Sequence, residues 1–117
     1  MMKRYNALYL GKFENSMDIV GFKSQFGHSF GEAEPLFTTF RGCGLSPETP
    51  GEGLRRRNFF ATYLTGPLLV LNPPFTKYLL RLMGVSEPIL CFEDAAMELY
   101  RDRVREFGDP STGIEYH

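Results

Sequence analysis

The sequence predicts an α/β domain that combines a mainly antiparallel or mixed sheet of about four strands with two helices. Short runs rich in aromatic and β-branched residues, bounded by glycine and proline, are typical of strands. Two segments in the second half place apolar residues three and four positions apart, which is typical of amphipathic helices. We expect residues 1–110 to form a single domain and residues 111–117 to form a loose C-terminal tail.

Four runs of the chain are predicted to be strands, and the first two flank a polar turn at residues 14–16. Because this connection is short, the two strands are expected to pair as an antiparallel hairpin. Ile19 is expected to face away from Val20 and Phe22, since side chains alternate along a strand. The four predicted strands are residues 5–10, residues 18–25, a run that begins at Pro35 and includes Phe40, and residues 57–64.

Two helices are predicted after the Gly66-Pro67 turn that ends the fourth strand. The first follows Asn72, a good N-cap residue, has Pro73 at its first position and ends at Gly84. Its predicted apolar face comprises Phe75, Tyr78, Leu79, Leu82 and Met83. The second helix is predicted roughly over residues 92–107, with an apolar face that comprises Phe92, Ala95, Ala96, Leu99 and Phe107.

The composition excludes several functional classes. A chain of 117 residues with 43% hydrophobic residues is long and apolar enough to fold around a core. Its net charge of -1 gives no general attraction to nucleic acid or to an anionic membrane, so neither is expected as a partner. No run reaches transmembrane length and the first residues lack the apolar core of a signal peptide, which favours a cytoplasmic protein.

The sequence contains none of the common cofactor or metal motifs. It has no Walker loop, no G-x-G-x-x-G unit and no cysteine and histidine spacing suited to zinc. Its two cysteines are too few for the disulfide framework of a small secreted protein. We therefore expect neither a cofactor nor a metal ion.

One segment carries a family signature. Residues 62–69 read T-Y-L-T-G-P-L-L and residues 72–73 read N-P. This pattern resembles the T-Y-L-H-G-P segment of the CobB/CobQ-type class I glutamine amidotransferases, a group that includes cobyric acid synthase and the amidotransferase subunit of lipid II isoglutaminyl synthase. The likeness covers roughly residues 4–84, in the same order and with the same spacing. Its upstream parts are Arg4 and Asn6, the run V-G-F-K-S-Q-F-G-H-S at residues 20–29, and Glu52-Gly53 after a glycine-rich loop.

The resemblance implies the C-terminal part of an amidotransferase domain whose catalytic groups are replaced. Such enzymes hydrolyse glutamine with a cysteine that a histidine activates, and the cysteine lies at an elbow in the first half of the domain. This chain is expected to begin after that elbow. Thr65 stands at the position of the family histidine, and Lys23 and Gln25 replace the glutamate and histidine of the upstream motif. The expectation is that the fold is retained and the chemistry is lost.

Other reactive residues are given structural interpretations. Cys43 lies in the glycine- and proline-rich residues 42–53, which are predicted to be a surface loop without the helix that a nucleophile elbow needs. Cys91 has apolar neighbours and is predicted to be packed, although a helix N-terminus can lower the pKa of a thiol. His28 is interpreted as a loop residue. Residues 55–57 are three arginines, predicted to be a solvated strand entrance rather than an anion site.

Three functions stay open. The favoured one is a truncated, catalytically inactive amidotransferase-like domain. The second is the C-terminal half of a working glutaminase, completed by another chain or by an upstream segment, and the third is a small non-enzymatic interaction or oligomerisation domain. A missing half would leave apolar surface and a sheet edge open, so a homo-oligomer or an N-terminal amidotransferase half is expected to cover them. The resemblance also implies a ligase or synthetase partner.

Overall fold

The computed structural model describes residues 5–25, 34–42, 44 and 50–111. The strands are β1 (Tyr5–Phe13), β2 (Met17–Gln25), β3 (Phe37–Arg41), β4 (Gly51–Glu52), β5 (Leu54–Arg56), β6 (Phe59–Ala61) and β7 (Leu64–Thr65). The helices are α1 (Leu68–Leu71), α2 (Pro73–Leu82) and α3 (Glu93–Gly108). The main sheet is antiparallel in the order β4-β3-β1-β2-β7, and β5 and β6 form a separate two-stranded ribbon. This arrangement is consistent with the predicted α/β fold, with one more strand in the sheet, the added ribbon and the short α1.

The hairpin of β1 and β2 is the longest pairing in the sheet and confirms the prediction for this segment. Its turn places Glu14 and Asn15 at positive φ, 52° and 59°. The N–H of Ser16 donates to the carbonyl of Phe13 at 3.1 Å. Two central residues at positive φ match the twist of the flanking strands, which is why such turns are preferred in hairpins.

The two faces of the sheet carry separate cores. Ile19 packs on one face and Val20 and Phe22 pack on the other, as the alternation predicts. The first core comprises Tyr9, Phe13, Ile19, Leu36, Phe37, Leu64 and Phe75, and side chains of α2 and β6 pack against it. The second core comprises Leu8, Val20, Tyr100 and Phe107, so α3 covers the opposite face.

The predicted strand over residues 57–64 is wrong, because the chain reverses within it. Arg56 pairs with Phe59 across a two-residue turn, and Arg57 lies in that turn with φ at 56°. The ribbon of β5 and β6 ends at Ala61, and the chain then turns to pair β7 with β2. A run of aromatic residues predicts extended backbone, but it does not show where that backbone folds back on itself.

Both long helices form where they were predicted, with corrections to the faces that they bury. In α2, Phe75 is buried and Tyr78 and Leu79 pack against the core, but Leu82 and Met83 are exposed. At α3, Phe92 just before the helix and Ala95 and Leu99 within it are exposed, whereas Phe107 is buried as predicted. The buried side of α3 instead comprises Met97, Tyr100, Val104 and Phe107, which are also spaced by three and four. Several apolar stripes fit one helical period, and only the position of the sheet selects between them.

The ends of α2 follow the expected turn chemistry at Pro73 and Gly84. Pro73 occupies the first position of the helix, where an N–H has no partner within the helix. At the other end, Gly84 has φ at 99°, its N–H donates to Arg81, and the N–H of Val85 donates to Leu80. These two bonds form a Schellman motif, which requires a left-handed residue. No helix in the described part of the chain has the length and apolar composition needed to cross a bilayer.

Candidate functional site

The three segments that carry the family resemblance meet at one end of the sheet. β7 pairs with β2, so that Thr65 lies opposite Phe22 and Leu64 opposite Lys23. The carboxylate of Glu52 accepts the Thr62 hydroxyl at 2.6 Å and the backbone N–H of residue 63 at 2.9 Å. The motifs on β2, on β4 and before β7 are therefore brought into contact by the fold.

A buried ion pair of Lys23 and Glu52 lies at the centre of this site. Both side chains are fully buried, and Nζ of Lys23 lies 3.5 Å from Oε1 of Glu52. The ammonium also donates to the carbonyl of Gly44 at 2.6 Å and lies 5.7 Å from the centroid of the Tyr63 ring. Burial of a single charge is strongly unfavourable, so each ion makes the burial of the other possible.

The ion pair spans the face of the sheet. β2 and β4 are separated by β1 and β3 in the sheet order. The two long side chains reach each other across these strands. Burial is the main cause of the raised pKa of Tyr9 on β1, and the charge of Glu52 adds to it. Glu52 thereby connects the edge strand β4 to the segment that leads into β7.

Thr65 lies at the outer edge of this site. It is exposed on β7, the last strand in the sheet order, and its hydroxyl donates to the carbonyl of Phe22 at 3.2 Å. A hydroxyl does not titrate near neutral pH and does not take a proton from a thiol as an imidazole does. The side chain at this position can supply a hydrogen bond, but no general base.

The turn after Thr65 depends on a glycine. Gly66 has φ at 130°, and a Cβ at this position would lie 2.7 Å from Cδ1 of Leu71 and 3.0 Å from the Phe22 ring. Any larger residue would therefore combine backbone strain with a steric clash. The glycine of the Gly-Pro pair in the motif thus allows α1 to pack closely against β2.

Asn72 does not act as the predicted helix cap, because no cap hydrogen bond is made by its side chain. Its carboxamide is buried and binds the backbone of Val20 through both the N–H and the carbonyl, each at 2.7 Å. It also donates to the carbonyl of Leu68 at 2.8 Å. The Asn-Pro pair of the motif therefore ties α1 and α2 to β2.

The remaining candidate residues do not join this site within the described part of the chain. His28, Cys43 and Arg4 lie outside the described residues, as does the side chain of Gln25. Cys91 is exposed in the connection between α2 and α3, so its interpretation as a packed residue is wrong. Among the described residues, no group of three or more histidine, cysteine, aspartate and glutamate side chains is arranged to hold a metal ion.

Arg55 differs from the prediction that residues 55–57 form a solvated strand entrance. Its guanidinium pairs with Glu14 at 2.8 Å and donates to the Tyr78 hydroxyl at 3.2 Å. It also lies over the rings of Phe13 and Phe60, 5.3 and 5.2 Å from their centroids. Glu14 is the main cause of the raised pKa of Arg55. This arginine covers an aromatic core and is not presented to an anion from solution.

Sequence reasoning missed the ion pair of Lys23 and Glu52, although a signal was present. Lys23 interrupts a strand in which the preceding residues on the same face, Ile19 and Gly21, are apolar and buried. Glu52 lies between Gly51 and Gly53, in a stretch that was predicted to be surface loop. The structure corrects this prediction for residues 51–53, which are buried. A lysine on a buried face requires an anion nearby, and that requirement was the available signal.

Comparison with known proteins supports a relationship to glutamine amidotransferases over part of the chain. No family model matches the sequence. Over 62 residues, or 53% of this chain, it is 37% identical to the lipid II isoglutaminyl synthase (glutamine-hydrolyzing) subunit GatD of Staphylococcus aureus (strain N315). The matched part spans 26% of that relative's length. The chain is thus similar to about a quarter of an amidotransferase subunit, and the similarity supports a related amidotransferase-like domain.

Proposed function

We propose that this chain is an amidotransferase-like domain that does not hydrolyse glutamine by itself. The observation that carries the proposal is the environment of Thr65. The position that matches the family histidine bears a hydroxyl that donates to the carbonyl of Phe22. In the neighbouring strand, Lys23 stands at the position where the family motif has a glutamate. This lysine is buried and pairs with Glu52. These groups can stabilise the fold but do not form a nucleophile and base pair.

The role that fits such a domain is binding within an amidating assembly. Similarity to a GatD subunit favours the amidation of peptidoglycan lipid II over that of a corrin precursor. We propose a ligase or synthetase subunit as the partner, in the cytoplasm, with residues 1–110 as the binding unit. In this role the domain supplies a surface, and ammonia comes from another subunit.

A glutaminase assay on the purified chain tests the central proposal. We expect no ammonia release from glutamine above the buffer rate, and no covalent adduct on Cys43 or Cys91 with an electrophilic glutamine analogue. Thr65→His should give the same result, because an imidazole without an elbow cysteine has no thiol to activate. Thr65→Val serves as the matched control for side-chain replacement. Glutamine hydrolysis by the unmodified chain would overturn the proposal, and hydrolysis by Thr65→His alone would identify a nucleophile in Cys43 or Cys91.

A second candidate is the C-terminal half of a working glutaminase. About three quarters of the length of GatD lies outside the matched region, and this favours the second candidate. The intact mass of the native polypeptide from its source cells separates the two functions. A mass clearly above that of these 117 residues favours the second candidate. The upstream part would then be searched for a cysteine elbow.

A further inference from the structure

A cleft with charges of both signs lies between α2 and α3. Its volume is about 590 Å³, which is within the range of sites that bind small molecules. Three apolar side chains line it, those of Met17, Pro74 and Met97. Its charged lining residues are Lys77, Arg81, Glu93, Asp94, Glu98 and Arg101. The charges of this lining therefore cancel, with cations and carboxylates in equal number.

One pair of these charges connects the two walls of the cleft. Nζ of Lys77 on α2 lies 2.7 Å from the carboxylate of Glu93 on α3, and this carboxylate also accepts the backbone N–H of Leu90 at 3.2 Å. These bonds lower the pKa of Glu93, with the bond to Lys77 as the main cause. Lys77 and Glu93 thus neutralise each other, and the remaining charges of the cleft decide what it can bind.

Four charged side chains of the cleft make no ion pair with another residue in the part of the chain that the structure describes. They are Arg81, Asp94, Glu98 and Arg101, and all four are exposed. Asp94 and Glu98 lie four residues apart on α3, where like charges repel each other. A bound group of positive charge would relieve this repulsion, and the two guanidiniums offer the same advantage to a negative group.

The presence of both signs makes a simple ion a poor occupant. A small anion at Arg81 or Arg101 would also meet the carboxylates of Asp94 and Glu98, and a small cation would meet the guanidiniums. A zwitterion avoids this conflict because each of its charges can face the opposite charge of the protein. Hydrogen bonds between ionised groups are also stronger than those between neutral groups.

The spacing of two of these residues suits an α-amino acid. Glu98 and Arg101 are three positions apart on α3, so their Cβ atoms are roughly 5–6 Å apart on the same side of the helix. The ammonium and carboxylate groups of an α-amino acid share one carbon atom, so one molecule can reach both residues. A guanidinium donates two parallel hydrogen bonds to a carboxylate. The thioethers of Met17 and Met97 adapt in shape to an apolar side chain.

We propose that this cleft binds a free α-amino acid with an apolar side chain. Arg101 binds the carboxylate of the ligand, Glu98 binds its ammonium group, and Met17 and Met97 contact its side chain. None of the described residues that line the cleft belongs to the site around Thr65. The proposal therefore does not depend on the glutaminase question.

Titration of the whole chain with L-methionine, followed by two-dimensional NMR of the backbone amides, tests the proposal. Amide signals of α2 and α3 should shift and should saturate at roughly millimolar concentration, as expected for a ligand of this size. N-acetyl-L-methionine lacks the ammonium group and L-methionine amide lacks the carboxylate. Each should bind about tenfold more weakly, because one charged hydrogen-bonding group is lost.

Two substitutions and two matched controls assign the binding to the cleft. Glu98→Gln and Arg101→Met each remove one charge from the cleft and should weaken the binding of L-methionine about tenfold. Glu106→Gln and Arg105→Met remove the same kinds of charge from α3 outside the cleft, and should bind as the unmodified chain does. Because all four positions are exposed, the thermal midpoint should change little in each variant.

Three outcomes would overturn the proposal. The first is an unmodified chain whose α2 and α3 signals do not shift in tens of millimolar L-methionine. The second is equal affinity for L-methionine and its N-acetyl derivative, which would mean that the carboxylate of Glu98 does not bind an ammonium group. The third is unchanged binding of L-methionine by both Glu98→Gln and Arg101→Met.

Discussion

Asn72 completes the hydrogen bonding of Val20, a residue 52 positions earlier in the chain. Its Oδ1 accepts the N–H of Val20, and its Nδ2 donates to the carbonyl of the same residue. β7 pairs with Phe22 and Lys23 and ends before it reaches Val20. The carboxamide therefore continues the edge of β2 where the neighbouring strand stops, and both residues are buried. The side-chain amide of Asn72 thus makes the two hydrogen bonds that a neighbouring strand would otherwise make with Val20.

Substitution of Asn72 should reveal this role through its pH dependence. Asn72→Ala leaves the N–H and carbonyl of Val20 without their partner, which should cost about 1–3 kcal/mol per group in the free energy of unfolding. Asn72→Asp keeps an acceptor for the N–H but places a carboxylate oxygen against two carbonyls. Burial raises the pKa of such a carboxyl, so its penalty should be small near pH 4 and should grow as pH rises through that pKa.

Urea unfolding of the unmodified chain and of Asn72→Asp at pH 5 and at pH 8 measures this difference. The gap in free energy between the two proteins should be wider at pH 8. An equal gap at both pH values would contradict the proposed contact with the backbone of Val20.

The ion pair of Lys23 and Glu52 should behave as a coupled pair. Lys23→Met or Glu52→Gln alone removes one charge of the buried pair, which should cost roughly 3–5 kcal/mol. The double variant removes both charges and should recover a large part of this loss. A double-mutant cycle by urea unfolding measures the coupling.

The exposed pair of Arg105 and Asp102, 2.7 Å apart, is the control for this cycle. Ion pairs on the surface are worth less than about 1 kcal/mol because water screens them. If the two losses at positions 23 and 52 simply add, the buried carboxylate and ammonium do not stabilise one another.

Arg41 should stabilise the C-terminal end of α3. Its Nη1 donates to the carbonyls of Phe107 and Asp109, each at 2.8 Å, so a cation of β3 caps the negative end of the helix. Arg41→Met keeps the apolar stem and removes both bonds, which should cost about 1–3 kcal/mol. Amide hydrogen exchange should also become faster in the last turn of α3. Arg105→Met removes a cation from the same turn and should cost less than about 0.5 kcal/mol.

Tyr100 should make the protein sensitive to alkali. Burial raises the pKa of its hydroxyl to about 12, with a smaller contribution from the charge of Asp18. The hydroxyl donates to the carbonyl of Asp18 at 2.5 Å. Because the folded pKa exceeds the unfolded value of about 10, this group stabilises the fold fully below pH 10. That stability should be lost as pH rises from about 10 to 12.

Urea unfolding between pH 8 and pH 12 measures the effect against Tyr100→Phe. The variant loses the bond to Asp18, so it should be less stable near pH 8, but its stability should fall less steeply above pH 10. Burial also raises the pKa of Tyr9, so part of the alkaline loss should remain in the variant. Identical slopes in the two proteins would show that Tyr100 ionises as readily in the folded state as in the unfolded state.

Much of the local structure could be predicted from the sequence because it depends on neighbouring residues. The hairpin of β1 and β2 follows from alternation and a short polar turn, and Pro73 and Gly84 mark the two ends of α2. The facing of Ile19 relative to Val20 also follows from alternation along a strand. In each case the physical cause acts within a few residues of the feature.

The candidate site was less predictable because its contacts join distant parts of the chain. The motif residues around Thr65 were recognised, but the hydrogen bonds of Glu52 to residues 62 and 63 were not. Residues 57–64 were predicted as one strand, although residues 57–58 form a turn and residues 62–63 separate β6 from β7. The buried face of α3 was predicted correctly at Phe107 but wrongly at Phe92, Ala95 and Leu99, since the choice rests on the sheet beneath the helix.

The sequence by itself determined the hairpin of β1 and β2, the two long helices and the two ends of α2. Only the tertiary structure decided that Lys23 and Glu52 share one buried site, that Asn72 binds Val20 instead of capping α2, and that Phe92 remains outside the core. The reason is physical. Propensity and periodicity act over a few residues, whereas pairing of buried charges and backbone groups depends on which surfaces the folded chain brings within a few ångströms of one another.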